Sequence, residues 1–394
     1  MLEYAYDSET TIRNRGDNAV GNFQASPYCR ENLIVAHGWI TPRNGEDVYV
    51  HDYDATGVTE VPDFLEAAMR GEQVLLIAHN IGFDLSYLMK EWPEQFWQAA
   101  PNLRLWCTMQ GAYLLSGQSV QMPSLDELAT ALGYEQKDDR IACYWSQGID
   151  TPFIPKDELL EYMEWDVRKC WAVYLDQRAK MEQIEGMLQL MEYKMDDIFV
   201  STLMCFNGMR FSVDVAARKL AELDPVIEGL EAELAEMAKP FFVKDFPFNP
   251  DSTHHVAALL FGGTYSVERV VEVLGEDGQP VVFKGGARKG QVKTRKEDFE
   301  YKTKGFALPT KGIPQTQKGY STSEDVLAKI DHPFTKKLQE LRALRKDAET
   351  YYRGYSALVW PDGCIHHNLN NEIAATGRQT CSSPNLQNVS KEDD

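Results

Sequence analysis

Residues 74–84 read VLLIAHNIGFD, and this stretch decides the fold class. Five consecutive apolar residues, Val74–Ala78, are too few for an ordinary helix and suit a short buried strand. A helix from about Phe83 to Lys90 follows, so a strand runs straight into a helix. Working outward, Glu3–Tyr6, Leu33–Ile40 and Val48–Asp52 read as further strands, and Val58–Arg70 as a helix. Downstream, Ser124 precedes LDELATALG as an N-cap, with Gly133 as the stop signal. Lys156–Arg178 is a long amphipathic helix entered through Pro155. Strands alternating with helices around buried apolar runs predict an α/β layer fold for residues 1–180.

From about Gln183 the pattern changes. Glu192–Asn207 and Val213–Ala238 read as long helices, which predicts a second, mainly helical domain over residues 181–394. Within it YSVERVVEVL, QPVVFK and EDFEYK alternate like strands of a ribbon, in an insertion near residues 262–318. Ser321–Ile330 opens another helix with a start resembling a capping box. Phe334–Ser356 is a further helix, and the last segment reads as strand then loop.

Composition narrows the class. An apolar fraction of 43% beside 25% charge is that of a folded globular chain rather than a disordered one. No apolar run approaches the ~20 residues that span a bilayer, and MLEYAYDSET has no signal-peptide pattern, so no membrane partner and a cytoplasmic setting are expected. Seven cysteines without a C-x-x-C predict reduced thiols rather than disulfides or zinc. The net charge of −20 is uneven: residues 1–180 hold 14 basic against 28 acidic residues, whereas residues 284–318 hold ten against three. Because phosphate contacts act within a Debye length of about 10 Å, the net charge does not exclude a nucleic-acid partner.

Three local acidic patterns stand out. Asp7-x-Glu9 ends the opening strand, where alternation puts residues i and i+2 on one face. Asn80-Ile-Gly-Phe-Asp84 lies just after the buried strand, where sites collect in open α/β sheets. Tyr162-x-x-x-Asp166 puts phenol and carboxylate on one face of the amphipathic helix. Each alone has an ordinary reading: a solvated strand end, a helix cap, a core tyrosine beside a solvated aspartate. Together they offer four carboxylates and a phenol. Hard divalent ions take oxygen ligands, and phosphodiester hydrolysis uses two of them roughly 3.5–4 Å apart.

In that order, D-x-E, N-x-x-F-D and Y-x-x-x-D resemble the three exonuclease motifs of the tyrosine-bearing DEDD superfamily. The resemblance spans residues 1–180 and implies an RNase H-like sheet and 3′→5′ exonuclease activity. It implies two divalent cations, Mg²⁺ or alternatively Mn²⁺, with Asp7 bridging both and Glu9 and Asp166 serving the one that carries the water. Asp84 would serve the second cation, Tyr162 would orient the attacking water, and Asn80 would help place a single-stranded 3′ end. The product implied is a nucleoside 5′-monophosphate.

The carboxyl half carries a second resemblance. Thr376-Gly-Arg378-Gln-Thr-Cys-Ser-Ser-Pro384-Asn-Leu-Gln387-Asn388 is similar to the T-G-R-L-S-S-x-x-P-N-L-Q-N stretch of family A DNA polymerases. Arg342, Lys346, Thr350 and Tyr351 fit that family's R-x3-K-x3-T-Y thumb pattern, Phe248–Ser252 its F-N-x-x-S and Gly319–Thr322 its G-Y-S-T. This implies a thumb and the beginning of a palm sheet, with primer-template DNA as partner. Arg378, Gln387 and Asn388 offer minor-groove and backbone contacts, and Arg342, Arg345 and Lys346 put basic groups on adjacent turns; for Arg345 alone a solvated charged face is the expectation. Gln379-Thr380 departs from the usual Leu-Ser, and Ser390 from the customary Pro. The insertion resembles phage-type relatives, which implies a bacteriophage protein in a bacterial cytoplasm.

The sequence stops before the family's D-Y-S-type palm motif. The expectation is the amino-terminal half of a split polymerase whose palm and fingers come from a second polypeptide. A truncated piece of a single-chain polymerase and a mainly DNA-gripping scaffold are the alternatives. A nuclease of structured RNA shares the three acidic motifs without the T-G-R/P-N-L-Q-N stretch.

Overall fold

A computed structural model describes residues 1–135, 140–275, 277–286, 288–317 and 319–389. The chain packs as two compact units, Met1–Ser212 with Tyr355–Asp394, and Val213–Gly354. The expected division at residue 180 therefore falls inside the first unit, at the end of a helix.

The first unit is built on five strands: β1 Leu2–Thr10, β2 Ile34–Arg43, β3 Glu46–Tyr53, β4 Val74–Ala78 and β5 Leu103–Cys107. Their order is β3-β2-β1-β4-β5, with β1 antiparallel to β2 and parallel to β4. All five residues of β4 are buried, because parallel neighbours on either edge leave it covered by helices. Parallel pairing needs a crossover, and the helices Asp63–Met69 before β4 and Gly82–Glu91 and Pro93–Ala99 after it supply one on each side. One contiguous core runs from Tyr4 and Tyr6 through Phe64, Leu76 and Leu88 to Met163 and Tyr174.

The long helix runs Lys156–Met181 and lies against β1 and β2. Ser124 caps Leu125–Thr130 in a reciprocal box with Glu127. The helix expected over 58–70 begins only at Asp63, because Pro62 is extended and forces the residue before it away from the helical region. The helix expected from Glu192 starts five residues earlier, at Met187, after Gly186 in the left-handed conformation.

Residues 355–389 join this unit by short pairings. Cys364–Ile365 pairs with Met209–Arg210, and Asn368–Asn370 with Thr380–Ser382. All seven cysteines are free, as expected from their spacing. No helix of the described residues is long and apolar enough to cross a membrane.

In the second unit, helix Val213–Ala238 packs with Thr253–Phe261 and Pro333–Arg345 around Leu234, Leu259, Phe334 and Leu338. The expected ribbon is two strands, Gly263–Glu272 against Thr294–Thr303 in ten pairs. QPVVFK is not a third long strand: Pro280 and Val282 make only isolated bridges, since proline breaks the ladder. The helix expected over 321–330 shrinks to Glu324–Leu327. The one expected over 334–356 breaks after Arg345 into a π-helical stretch, Lys346–Arg353.

Candidate active site

Strand alternation places Asp7 and Glu9 on one face of β1, and that face meets the helix Lys156–Met181. Asp7 pairs with Gly38 across the β1–β2 ladder. A side chain at Gly38 would approach the Tyr49 hydroxyl at 2.9 Å and Met163 at 3.2 Å, so its lack of one lets the helix close down on the sheet. Asp166 comes from that helix, and carboxylate oxygens of Asp7, Glu9 and Asp166 lie within 4.8 Å of one another.

This concentration of negative charge is costly by itself. At an effective dielectric of 20, two unit charges that far apart repel by about 3 kcal/mol. Glu9 is buried and the other two are half-buried, so water screens them incompletely. Carboxylate oxygen, with no sulfur or imidazole in the group, is the donor set of a hard divalent cation, and the residues fit Mg²⁺ or Mn²⁺.

Asp84 takes a different position. It is the third residue of the helix Gly82–Glu91, not its cap, which is Ile81. Its carboxylate accepts a 2.7 Å bond from the Ser8 hydroxyl and lies outside the 4.8 Å group among the described residues. Ser8 is the residue between Asp7 and Glu9, so by the same alternation its side chain, and the Asp84 carboxylate it holds, leave the strand on the opposite face from theirs. Burial pushes the Asp84 carboxyl well up from the ordinary carboxylate range, with the Ser8 bond pulling the other way. Ser8 escaped the sequence reading because the middle of D-x-E is unspecified.

Tyr162 is half-buried one turn before Asp166, its ring edge-on to Trp145 at 6.2 Å. Asn80 is exposed at the strand-to-helix junction with φ +56°, a conformation asparagine tolerates better than most residues. Lys169, also unread, is buried on the same helix and donates to Asp126 at 2.5 Å.

The residues singled out toward the carboxyl end divide. Arg378, Gln387 and Asn388 are exposed. Gln379, one of the two departures, turns inward: its amide donates to Ser201 at 2.5 Å and to Asn371 at 3.4 Å, tying its loop to the helix Met187–Asn207. Ser390, the other departure, lies outside the described residues.

In the second unit Arg342 is half-buried and donates to the carbonyls of Thr322 at 2.9 Å and Pro250 at 3.5 Å. Burial lowers its pKa, as expected for a cation held by neutral carbonyls. It joins the two loops, 248–252 and 319–322, whose motifs the sequence had set apart. Arg345 is not the solvated charge expected of it, for Glu231 at 2.7 Å and Asp251 both pair with it. Lys346 is exposed and sits 5.9 Å from the Tyr351 ring centroid.

The model of DNA polymerase family A matches residues 300–394. That region is related to the family A DNA polymerases. DNA polymerase I of Streptococcus pneumoniae (strain R6) is 36% identical over 251 residues, covering 62% of this chain and 23% of that protein. DNA polymerase I of Bacillus subtilis (strain 168) is 25% identical over 251 residues, covering 62% and 22%. The chain thus spans less than a quarter of the length of these curated relatives. Among solved structures, the POL domain of Pol1 from M. smegmatis, in complex with DNA primer-template and dNTP, superposes with a TM-score of 0.61 at 15% identity. The match covers 99% of this chain and 53% of that one, a likeness of fold. The polymerase-related region includes the exposed Arg378, Gln387 and Asn388 as well as the internally bonded Arg342.

Proposed function

We propose that the first unit is a 3′→5′ DNA exonuclease that proofreads for a family A polymerase. The observation that carries this reading is the approach of Asp7, Glu9 and Asp166 to within 4.8 Å, with Tyr162 one turn from Asp166 and Asp84 anchored to Ser8. The strand order, with β1 antiparallel to β2 and parallel to β4, supports an RNase H-like frame.

Asp7, Glu9 and Asp166 would hold a divalent cation, with Asp84 as the fourth carboxylate of the proposed site. A cation bound there would supply Lewis acidity, lowering the pKa of a water toward neutral and offsetting charge on the leaving 3′ oxygen. Tyr162 orients the attacking water, and Asn80 places the terminal nucleotide. Ser8 keeps Asp84 facing β1. Hydrolysis of the last phosphodiester releases a nucleoside 5′-monophosphate, with little sequence preference because stacking and backbone contacts suit any base.

The polymerase-related region is proposed to hold primer-template DNA through Arg378, Gln387, Asn388 and Lys346. Template-directed synthesis is proposed for the assembly in which this region works, in the split reading together with a second polypeptide.

A 5′-labelled primer incubated with Mg²⁺ tests the nuclease. Stepwise shortening to mononucleotides, lost in Asp7→Ala/Glu9→Ala, is expected; no digestion, or digestion unchanged by that pair, would overturn the reading. Mn²⁺ titration followed by electron paramagnetic resonance gives a readout independent of turnover, with binding abolished in the same variant. Primer extension by this purified chain alone would refute the claim about palm and fingers.

A further inference from the structure

Tyr49 is used by neither the acidic motifs nor the reaction proposed above. It lies on β3, which neighbours β2 but not β1. In the ladder Asp7 stands opposite Gly38 and Tyr49 opposite Ile40, two residues further on. Alternation therefore puts Tyr49 on the face of the sheet that carries Asp7 and Glu9. Gly38 has no side chain, and the Tyr49 hydroxyl lies 2.9 Å from where a Cβ on it would stand. A phenolic oxygen from β3 thus fills the position across from Asp7. Side chains of directly opposed residues start only about 4.5–5.5 Å apart, so the Asp7 carboxylate can turn to meet that oxygen.

The ring that carries the hydroxyl is fixed. His51 stacks on it at 5.5 Å and an angle of 27°. The Arg168 guanidinium lies 5.8 Å from the ring centroid and is itself held by Glu164 at 2.6 Å. A para hydroxyl lies on the axis of ring rotation, so flipping the ring does not move its oxygen. Although the ring is half-buried, that oxygen is closed to solvent and meets no hydrogen-bond partner among the described residues. A buried donor without an acceptor is unfavourable and rare. Burial pushes the phenol's pKa up, and the charges of Glu164, Asp7 and Glu9 add to this against the opposing Arg168. The phenol therefore keeps its proton and remains a donor.

We infer that Tyr49 is a positioning residue of the acidic site, its hydroxyl donating to the Asp7 carboxylate and setting the orientation in which that carboxylate ligates a divalent cation. This rests on the reading of Asp7, Glu9 and Asp166 as a cation site. Ligating carboxylates are held in turn by hydrogen-bond donors that orient them. With one Asp7 oxygen on a cation, the other is left for the phenol, so loading the site gives the buried donor a charged acceptor. Tyr162, from the helix, is assigned to the water; Tyr49, from the sheet, is assigned to the ligand.

The test uses the full chain with Mn²⁺ alone, followed by electron paramagnetic resonance in the wild type and in Tyr49→Phe, which deletes only the oxygen. Affinity for Mn²⁺ should fall by ~10-fold or more. Since the substitution also removes an unpartnered buried donor, the variant should melt in EDTA at or above the wild-type temperature, which separates positioning from damage to the fold. With a labelled primer, digestion by Tyr49→Phe should fall at limiting Mg²⁺ and recover at saturating Mg²⁺, a split that a purely packing tyrosine would not give. Equal Mn²⁺ affinity in the wild type and Tyr49→Phe, while Asp7→Ala/Glu9→Ala binds none, overturns the inference and leaves the cation site standing. Weaker affinity together with a lower melting temperature in EDTA also overturns it, the tyrosine then being structural. If the wild type binds no Mn²⁺, the cation site fails and this inference with it. A wild type that binds Mn²⁺ more tightly than Tyr49→Phe by the expected factor, yet degrades no primer, refutes the exonuclease alone.

Discussion

The acidic face of β1 and the basic end of the ribbon both concentrate like charges, in opposite surroundings. Asp7, Glu9 and Asp166 gather where β1 and a helix exclude much of the water, so their repulsion is large and is relieved by a small, dense counter-charge. The ribbon end stands in solvent, where repulsion is screened within about 10 Å. The same electrostatics is therefore strong in one place and weak in the other. Burial decides which.

The largest expected effect tests the buried side. Asp7→Ala/Glu9→Ala should reduce primer digestion at least ~10³-fold, since it removes ligands and not merely contacts. In EDTA the same variant should melt higher than the wild type, because repulsion is relieved, and Mg²⁺ should raise the melting temperature of the wild type alone. A wild type whose melting ignores Mg²⁺ would break the contrast.

Next comes a half-buried group that titrates. His79 donates to or accepts from Thr108 at 2.8 Å, and burial depresses its pKa from 6.5 to about 4. A depressed pKa means the folded state disfavours the proton, so the stability it contributes is complete above about pH 6.5 and is lost as pH falls through 4. The loss is on the order of 3 kcal/mol. Urea unfolding of His79→Gln should show a correspondingly flatter dependence between pH 7 and 4 (both on the ordinary histidine scale).

Arg342 sharpens the comparison from within the second unit, as a cation withdrawn from solvent. Arg342→Ala should destabilise that unit by about 2 kcal/mol, as two carbonyls lose their donor. Lys346→Ala should leave stability unchanged and weaken DNA binding only. If urea midpoints fell equally in both, Arg342 would be no more structural than its exposed neighbour.

The smallest effect concerns Gln379. Gln379→Leu, which restores the family's usual residue, should cost about 1 kcal/mol through the lost bond to Ser201. An unchanged or raised midpoint would show that this polar tie contributes nothing.

Much of this was legible beforehand. The strands around Val74–Ala78, the long helix after Pro155 and the cap at Ser124 all followed from local pattern, because each is specified by residues near in sequence. The grouping of Asp7, Glu9, Asp84 and Asp166 was expected from motif order and the family these motifs resemble; three of the four meet within 4.8 Å, and Asp84 stands apart on Ser8. Ser8 and Lys169 were missed because nothing in their neighbours marks them. Arg342 resembled a phosphate ligand until its carbonyl partners, 20 and 92 residues away, were in view. Residues 58–62, 321–323 and 328–330 were over-read as helix; a proline accounts for the first of these.

Sequence alone determined periodicity, caps, the order of the acidic motifs and the basic excess of residues 284–318, since these are properties of neighbouring residues. Tertiary structure decided which charges share a space and which face water. It brought Asp166 across some 160 residues to Asp7, turned Asp84 toward Ser8, and withdrew Arg342 while leaving Lys346 outside. The reason is physical: the dielectric around a charge and the partners within hydrogen-bond reach depend on packing between distant segments, which no local pattern specifies.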